Sequence, residues 1–103
     1  RYVRPVLRRT LVVLVLADSN AGTWVEDGSC VLENMMIAAE SLGLATVWVH
    51  REREIFDSER GKQLLREWGL PEKLRGVGSI ALGYAAAPAK PAAPRKDGYI
   101  VKV

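Results

Sequence analysis

The chain has almost none of the residues that cross-link proteins or bind metals. Its 103 residues include one cysteine, Cys30, and one histidine, His50. A single cysteine excludes an internal disulfide and every metal site built from several cysteines. It also makes a reducing, cytoplasmic setting the expectation. His50 has no evident nucleophile partner in the sequence, so neither a catalytic side chain nor a metal ligand is predicted.

Long apolar runs and glycine-rich phosphate loops are missing too. No run reaches the length of a membrane span, and no secretory leader is visible. Gly76-Val77-Gly78 lacks the third glycine and the following helix of a dinucleotide-binding fingerprint. A hydrophobic content of 49% with 26% charged residues is typical of a globular chain, and residues 1–103 are expected to form one domain. The start at Arg1 rather than Met suggests a segment, a processed product or an incomplete chain.

The positive charge is modest and concentrated at the N-terminus. The net charge is +3, and Arg1, Arg4, Arg8 and Arg9 supply four positive charges. Such a cluster can be a nucleic-acid-binding arm, in which case the protein would be a small basic interaction module. A solvated chain end is favoured, because no aromatic-rich or other nucleic-acid-binding motif accompanies the arginines.

Four apolar segments are predicted as strands: residues 11–17, 45–49, 76–84 and 99–103. Residues 11–17 are apolar on both faces and are expected to be covered on both. Residues 1–10 are basic, contain Pro5 and are predicted to be a loop. Residues 85–94 contain three prolines and are predicted to be extended.

The central helix is predicted to begin near Asp27 or Ser29, either of which can cap it, and to end at Gly43. Its apolar residues recur with a helical period and are expected to form the buried stripe: Val31, Leu32, Met35, Ala38, Ala39 and Leu42. Cys30 lies within this helix and is expected to be a buried, unreactive thiol. The strand over 45–49 follows directly and stops at His50.

A second helix is predicted to start at Asp57 or Ser58 and to end at Gly69, with Pro71 just beyond. Its expected buried residues are Leu64, Leu65 and Trp68. Residues 51–60 alternate in charge and are interpreted as a solvated face that is either helical or extended. Ile55 and Phe56 are expected to hold one edge of that segment against the core.

Several separate blocks of the sequence resemble the nitroreductase family in the same order and spacing. The blocks are residues 33–44 (ENMMIAAESLGL), Trp48-Val49-His50-Arg51, residues 61–70 (GKQLLREWGL), Val77-Gly78, Leu82-Gly83-Tyr84 and Pro94-Arg95-Lys96. The similarity covers residues 11–103 and is to the C-terminal half of the family, so the family's N-terminal half is expected to be absent. The fold implied is α+β, with a mostly antiparallel sheet covered by helices. A C-terminal arm and final strand are implied to reach a partner subunit.

The resemblance implies a flavoenzyme with FMN as its cofactor. Family members pass hydride from NAD(P)H to nitroaromatics, quinones or similar acceptors in one site. The lack of a catalytic side chain fits this chemistry, because the cofactor carries the hydride while the protein binds and orients it. The alternative is a truncated nitroreductase-like domain that dimerises without flavin and has no activity.

The resemblance also implies which residues would contact FMN. Trp48, Val49, His50 and Arg51 match the segment along the flavin ring, with the His50 N–H near flavin N5. Arg95, with Lys96 beside it, matches the phosphate-binding position. Ala93 stands where many relatives have a lysine, and the family's N-terminal Arg–Ser–Arg-type motif has no counterpart in residues 1–10.

A homodimer without membrane contact is the expected assembly. Met36 and Ile37 lie partly off the main stripe of the central helix, so the helix is apolar around more than half its girth and needs cover on more than one side. Family members resemble each other in forming the dimer through long helices. The interface is therefore expected over residues 31–42, with a separate contribution from residues 96–103.

Overall fold

A three-stranded sheet and three helices make up the regular structure of residues 7–103, which are the residues that the computed structural model describes; for residues 7–10 it describes the backbone alone. The elements follow one another in the order β1 (Leu7–Asp18), α1 (Trp24–Ser41), β2 (Ala45–Val49), α2 (Glu52–Asp57), α3 (Glu59–Glu67) and β3 (Leu74–Ala85). In this part of the chain no helix is long and apolar enough to cross a membrane.

The last strand in the chain, β3, is the central strand of the sheet. The strand order is β1-β3-β2, and both pairings are antiparallel. Trp48 lies opposite Ile80, and Val49 lies opposite Ser79. The α+β fold with an antiparallel sheet is therefore confirmed.

The core lies between α1 and one face of this sheet. Leu32, Val77 and Ile80 are buried and form its centre. Partly buried hydrophobic residues surround them: Val13, Val15, Ala17, Trp24, Met35, Met36 and Trp48. The alternation of β1 places Val13, Val15 and Ala17 on the side of α1.

Two helices end in the glycine caps that the sequence predicts. Gly43 and Gly69 have φ values of 74° and 71°, a conformation in which a side chain is strained. Beyond each glycine, an N–H bonds back into the helix: Leu44 to the Ala39 carbonyl at 2.9 Å and Leu70 to the Leu65 carbonyl at 2.8 Å. These bonds satisfy carbonyls that a helix end leaves free. The predicted start of α3 is also confirmed, because the Ser58 hydroxyl accepts the Gly61 N–H at 3.1 Å.

Several predictions about where elements begin and which residues are buried are wrong. The first strand begins at Leu7, so residues 7–10 are not a loop; the rest of that predicted loop lies outside the described residues. Leu11 and Val12 are exposed although they point to opposite faces of β1, so this part of the strand is not covered on both faces as predicted. The central helix begins at Trp24, before both predicted caps, and its Thr23 N-cap makes no capping bond.

The buried stripe of α1 is rotated from the predicted one. Leu32 and Ala39 are buried and Met35 is half-buried, as expected. The other three predicted stripe residues, Val31, Ala38 and Leu42, are exposed. Gly28 and Met36 take part in the packing instead, because this face of the helix meets Val77 and the sheet. Cys30 is exposed, so the prediction of a buried thiol is wrong.

The second helical region differs in similar ways. Within residues 51–60, α2 forms a helix and buries Phe56, while Ile55 is 44% exposed. In α3 the expected Leu65 is buried, but Trp68 is 48% exposed and lies at its C-cap. The ring of Trp68 still contacts Phe56, with centroids 6.0 Å apart.

Residues 99–103 do not form the predicted strand. They have no regular structure, and Tyr99, Ile100, Val101 and Val103 are all at least 75% exposed. A strand needs a partner edge to bond its backbone groups. Residues 86–94, which carry the chain toward this end, have two bends and no regular structure, so their predicted extended conformation stays a prediction.

Gly76 allows α2 to approach the central strand closely, and Gly76→Ala is expected to destabilise the fold. A Cβ there would lie 2.2 Å from the Glu52 carbonyl oxygen, which is backbone and cannot swing aside. We expect a loss at or above the upper end of about 1–3 kcal/mol for overpacking. Gly22→Ala is the matched control, since its Cβ would meet nothing within 4 Å. Urea unfolding of both variants tests this, and equal midpoints would contradict it.

Candidate functional site

The end of β2 separates a half-buried tryptophan from two exposed polar residues. The Trp48 ring packs against the core, and its Nε1 lies where a Cβ on Gly78 would approach to 2.7 Å. That indole N–H is buried and has no hydrogen-bond partner among the described residues. Because the Trp48 side chain packs against the core, this residue offers a ligand chiefly its backbone.

The chain turns outward immediately after Val49. His50 and Arg51 are exposed, and Arg51 is the N-cap of α2. A small cavity of about 90 Å³ opens here, lined by His50, Glu52, Arg53 and Glu54. The predicted end of β2 is therefore confirmed, including the change from apolar to polar residues.

A buried carboxylate behind this turn was missed by the sequence analysis. Glu52 is only 4% exposed. Its Oε1 accepts the Ser79 hydroxyl at 2.5 Å, and its Oε2 accepts the Arg51 N–H at 2.9 Å. In the sequence, Glu52 is one of several alternating charges, and nothing separates it from its solvated neighbours.

Two guanidinium groups hold α2 beside the start of α1. The Arg53 and Arg75 Cζ atoms lie 5.1 Å and 4.9 Å from the centroid of the Trp24 ring, within the range of a cation–π contact. Arg75 also donates to both Asp57 carboxylate oxygens, at 3.0 Å and 2.6 Å, and these bonds lower the pKa of Asp57. The helix that follows the strand end is thereby fixed to its neighbours.

The predicted phosphate-binding residues lie far along the chain from the strand end. Arg95 and Lys96 are exposed in the irregular segment beyond β3. The Arg95 guanidinium donates to the Ala93 carbonyl at 3.3 Å, and neither cation has an ion-pair partner among the described residues. Both charges are therefore available to an anion.

Comparison with known proteins identifies the architecture. A crystal structure of a nitroreductase with bound FMN from Bacteroides fragilis superposes with a TM-score of 0.79 at 31% sequence identity. The match covers 89% of this chain and 50% of that one. The chain has the nitroreductase fold. No protein-family model matches the sequence.

Two curated relatives agree with this nitroreductase fold. Both are named "Putative NADH dehydrogenase/NAD(P)H nitroreductase". The one from Archaeoglobus fulgidus is 36% identical over 62 residues, and the one from Methanothermobacter thermautotrophicus is 33% identical over 81 residues. The matches cover 59% and 74% of this chain, and the chain spans 33% and 40% of the relatives' lengths. The family resemblance read from the sequence is thereby confirmed, over a part of the relatives' length.

The donor groups present suit a phosphorylated flavin. A flavin ring needs hydrogen bonds to its polar edge, and an exposed strand end can offer backbone N–H and C=O groups. A phosphate needs cations, and exposed arginine is well suited because its planar fork binds two oxygens together. His50 lies at the strand end that offers the first kind of group, while the Arg51 N–H already bonds Glu52. Arg95 and Lys96 provide the second kind.

Proposed function

We propose that this chain is part of an FMN-dependent oxidoreductase that uses NAD(P)H to reduce nitroaromatics, quinones or similar acceptors. The observation that carries the proposal is the match to an FMN-bound nitroreductase over 89% of the chain. The polar end of β2 lies within this fold, and its residues His50 and Arg51 are exposed. When bound, FMN supplies the hydride chemistry.

The residues after β2 would hold the flavin ring. Val49, His50 and Arg51 would line it with backbone, and the His50 N–H would bond the ring at N5. Trp48 would support this backbone from behind, since its ring is packed against the core. The role of the chain at this position is to bind and orient the ring, and the imidazole is not required for it.

Arg95, with Lys96 beside it, would bind the FMN phosphate. Arg95→Ala is expected to weaken FMN binding by about 1.5–3 kcal/mol, the range for a hydrogen bond to a charged group. Riboflavin lacks the phosphate, so its affinity should hardly change. Lys90→Ala is the matched control, because Lys90 is another exposed cation of the irregular segment beyond β3 and lies outside the proposed dimer contact. Fluorescence titrations with both flavins test this; equal losses for FMN and riboflavin would contradict it.

A homodimer would complete the assembly. Val31, Ala38 and Leu42 recur along one side of α1 and are exposed, with Leu42 at 76%. This exposed stripe is distinct from the face that covers the sheet, and a second copy of the chain would bury it. The apolar residues 99–103 would add a second contact with the partner.

Cofactor-dependent turnover tests the proposed function. The chain should be loaded with FMN, freed of excess cofactor and mixed anaerobically with NADH or NADPH. We expect the flavin absorbance to bleach and to return when a nitroaromatic or quinone is added. A dimer that retains no flavin would favour the inactive, flavin-free alternative. A monomer that binds nucleic acid in a salt-dependent manner would favour the basic module.

A further inference from the structure

Glu52 is a buried carboxylate that forms no ion pair among the described residues. None of the ion pairs described includes it. A buried carboxylate is costly unless both oxygens find donors. Here one oxygen takes the Ser79 hydroxyl and the other takes the Arg51 N–H. Its partners are therefore one side chain of the central strand and one backbone group of the turn after β2.

These two bonds fix the turn from both sides. Ser79 lies opposite Val49 in the sheet, so the carboxylate connects the last residue pair of the β2–β3 ladder to the His50–Arg51 peptide. Behind the carboxylate, the Glu52 backbone lies against Gly76, where even a Cβ would collide. Glu52 can therefore move little, and the Arg51 N–H is held toward it.

The carboxylate also occupies one of the two backbone donors that follow β2. The Arg51 N–H is already satisfied by the carboxylate. The Arg51 N–H therefore does not compete with the His50 N–H for a ligand at the strand end. The small cavity at this turn is lined by His50, Glu52, Arg53 and Glu54.

We propose that Glu52 and Ser79 are positioning residues that hold the His50–Arg51 peptide and, through it, orient the neighbouring His50 N–H for the flavin ring, an inference that rests on the function proposed above. They act through the backbone that they hold and need not touch the ring. Glutamine at 52 can keep both bonds, because its amide oxygen accepts an N–H and its NH₂ donates to a hydroxyl. Alanine at 52 keeps neither bond, and alanine at 79 removes one.

The Glu52–Arg51 hydrogen bond is tested without cofactor by amide hydrogen exchange on the flavin-free chain. We expect the Arg51 amide to be protected in the wild type and in Glu52→Gln, and to exchange faster in Glu52→Ala. Glu33→Ala is the control, since Glu33 is an exposed carboxylate of α1; it should leave Arg51 protected. An unprotected Arg51 amide in the wild type would overturn the inference whatever the flavin does.

The role toward flavin is tested by FMN titration and visible circular dichroism of the bound flavin. We expect Glu52→Ala and Ser79→Ala to bind FMN about tenfold more weakly, which corresponds to about 1.4 kcal/mol, and to change the bound-flavin spectrum. Glu52→Gln should restore both affinity and spectrum. Urea unfolding in parallel corrects each affinity for the fraction of folded chain.

The outcomes separate the two claims. If the wild type binds FMN and folded Glu52→Ala binds it with the same affinity and the same flavin spectrum, the positioning role is overturned and the proposed function stays intact. No FMN binding by a wild type whose Arg51 amide is protected would overturn the proposed function, and the role toward flavin would fall with it. Loss in Glu52→Ala, with rescue in Glu52→Gln, would support both.

Discussion

The Val31→Glu chain should sediment as a monomer at micromolar concentrations at which the native chain sediments as a dimer. Val31 is 48% exposed on the stripe of α1 that also carries Ala38 and Leu42. In the proposed dimer a glutamate at this position would be buried against apolar surface without a cation. An unpaired buried charge costs several kcal/mol, because the carboxylate loses its hydration.

Two other positions on the same helix serve as comparisons. Ile37 is 59% exposed but lies well away from Val31 around the helix, beside Cys30 and Ser41, so Ile37→Glu is the milder substitution. Met36 packs partly against the chain's own core, so Met36→Glu would destabilise the monomer itself and would not report on the dimer interface alone. A native chain that is a folded monomer, or a dimer that tolerates Val31→Glu, would contradict the proposed interface.

The second large effect is expected at His50, where proline should abolish FMN binding and alanine should not. Proline removes the backbone N–H that is proposed to bond the flavin ring, and its ring restricts the backbone torsion at the turn. We expect a loss of at least about 100-fold, or about 2.8 kcal/mol. Alanine keeps the N–H and removes only the exposed imidazole.

Circular dichroism in the far ultraviolet should accompany both His50 variants. His50 follows the last residue of β2 and precedes α2, so a proline there need not break a helix or a strand. If His50→Pro is folded and binds as much FMN as the wild type, the backbone at this position does not hold the ring. If His50→Ala loses FMN as well, the imidazole rather than the backbone carries the contact.

Features that depend on neighbouring residues could be predicted from the sequence. Gly43 and Gly69 each follow a helical pattern and end the helix through bonds to carbonyls a few residues back. Ser58 caps α3 in the same local way. The bounds of β2 are also as predicted, because a short β-branched run between a glycine turn and a cluster of charges leaves little choice.

Features that depend on distant parts of the fold could not be predicted in this way. The central helix is apolar on several sides, and only its contact with Val77 and the sheet decides that Leu32 is buried while Leu42 is exposed. The exposure of Cys30 follows from the same rotation. Residues 99–103 have a strand-like composition but no strand beside them to pair with.

The candidate site likewise has one part that could be predicted from neighbouring residues and one part that could not. The polar end of β2 could be predicted because the sequence changes from apolar to polar residues between Val49 and His50. The burial of Glu52 could not, because its partner Ser79 lies 27 residues away in the chain and only the antiparallel pairing of β2 with β3 brings them together. The connection between the strand end and Arg95 depends on the family resemblance alone.

The most direct test of the account is a calorimetric titration of the flavin-free chain with FMN. The account predicts saturable binding of one FMN per chain, with riboflavin binding more weakly because it lacks the phosphate that Arg95 is proposed to hold. A folded dimer that takes up no FMN, or that binds FMN and riboflavin with equal affinity, would contradict it.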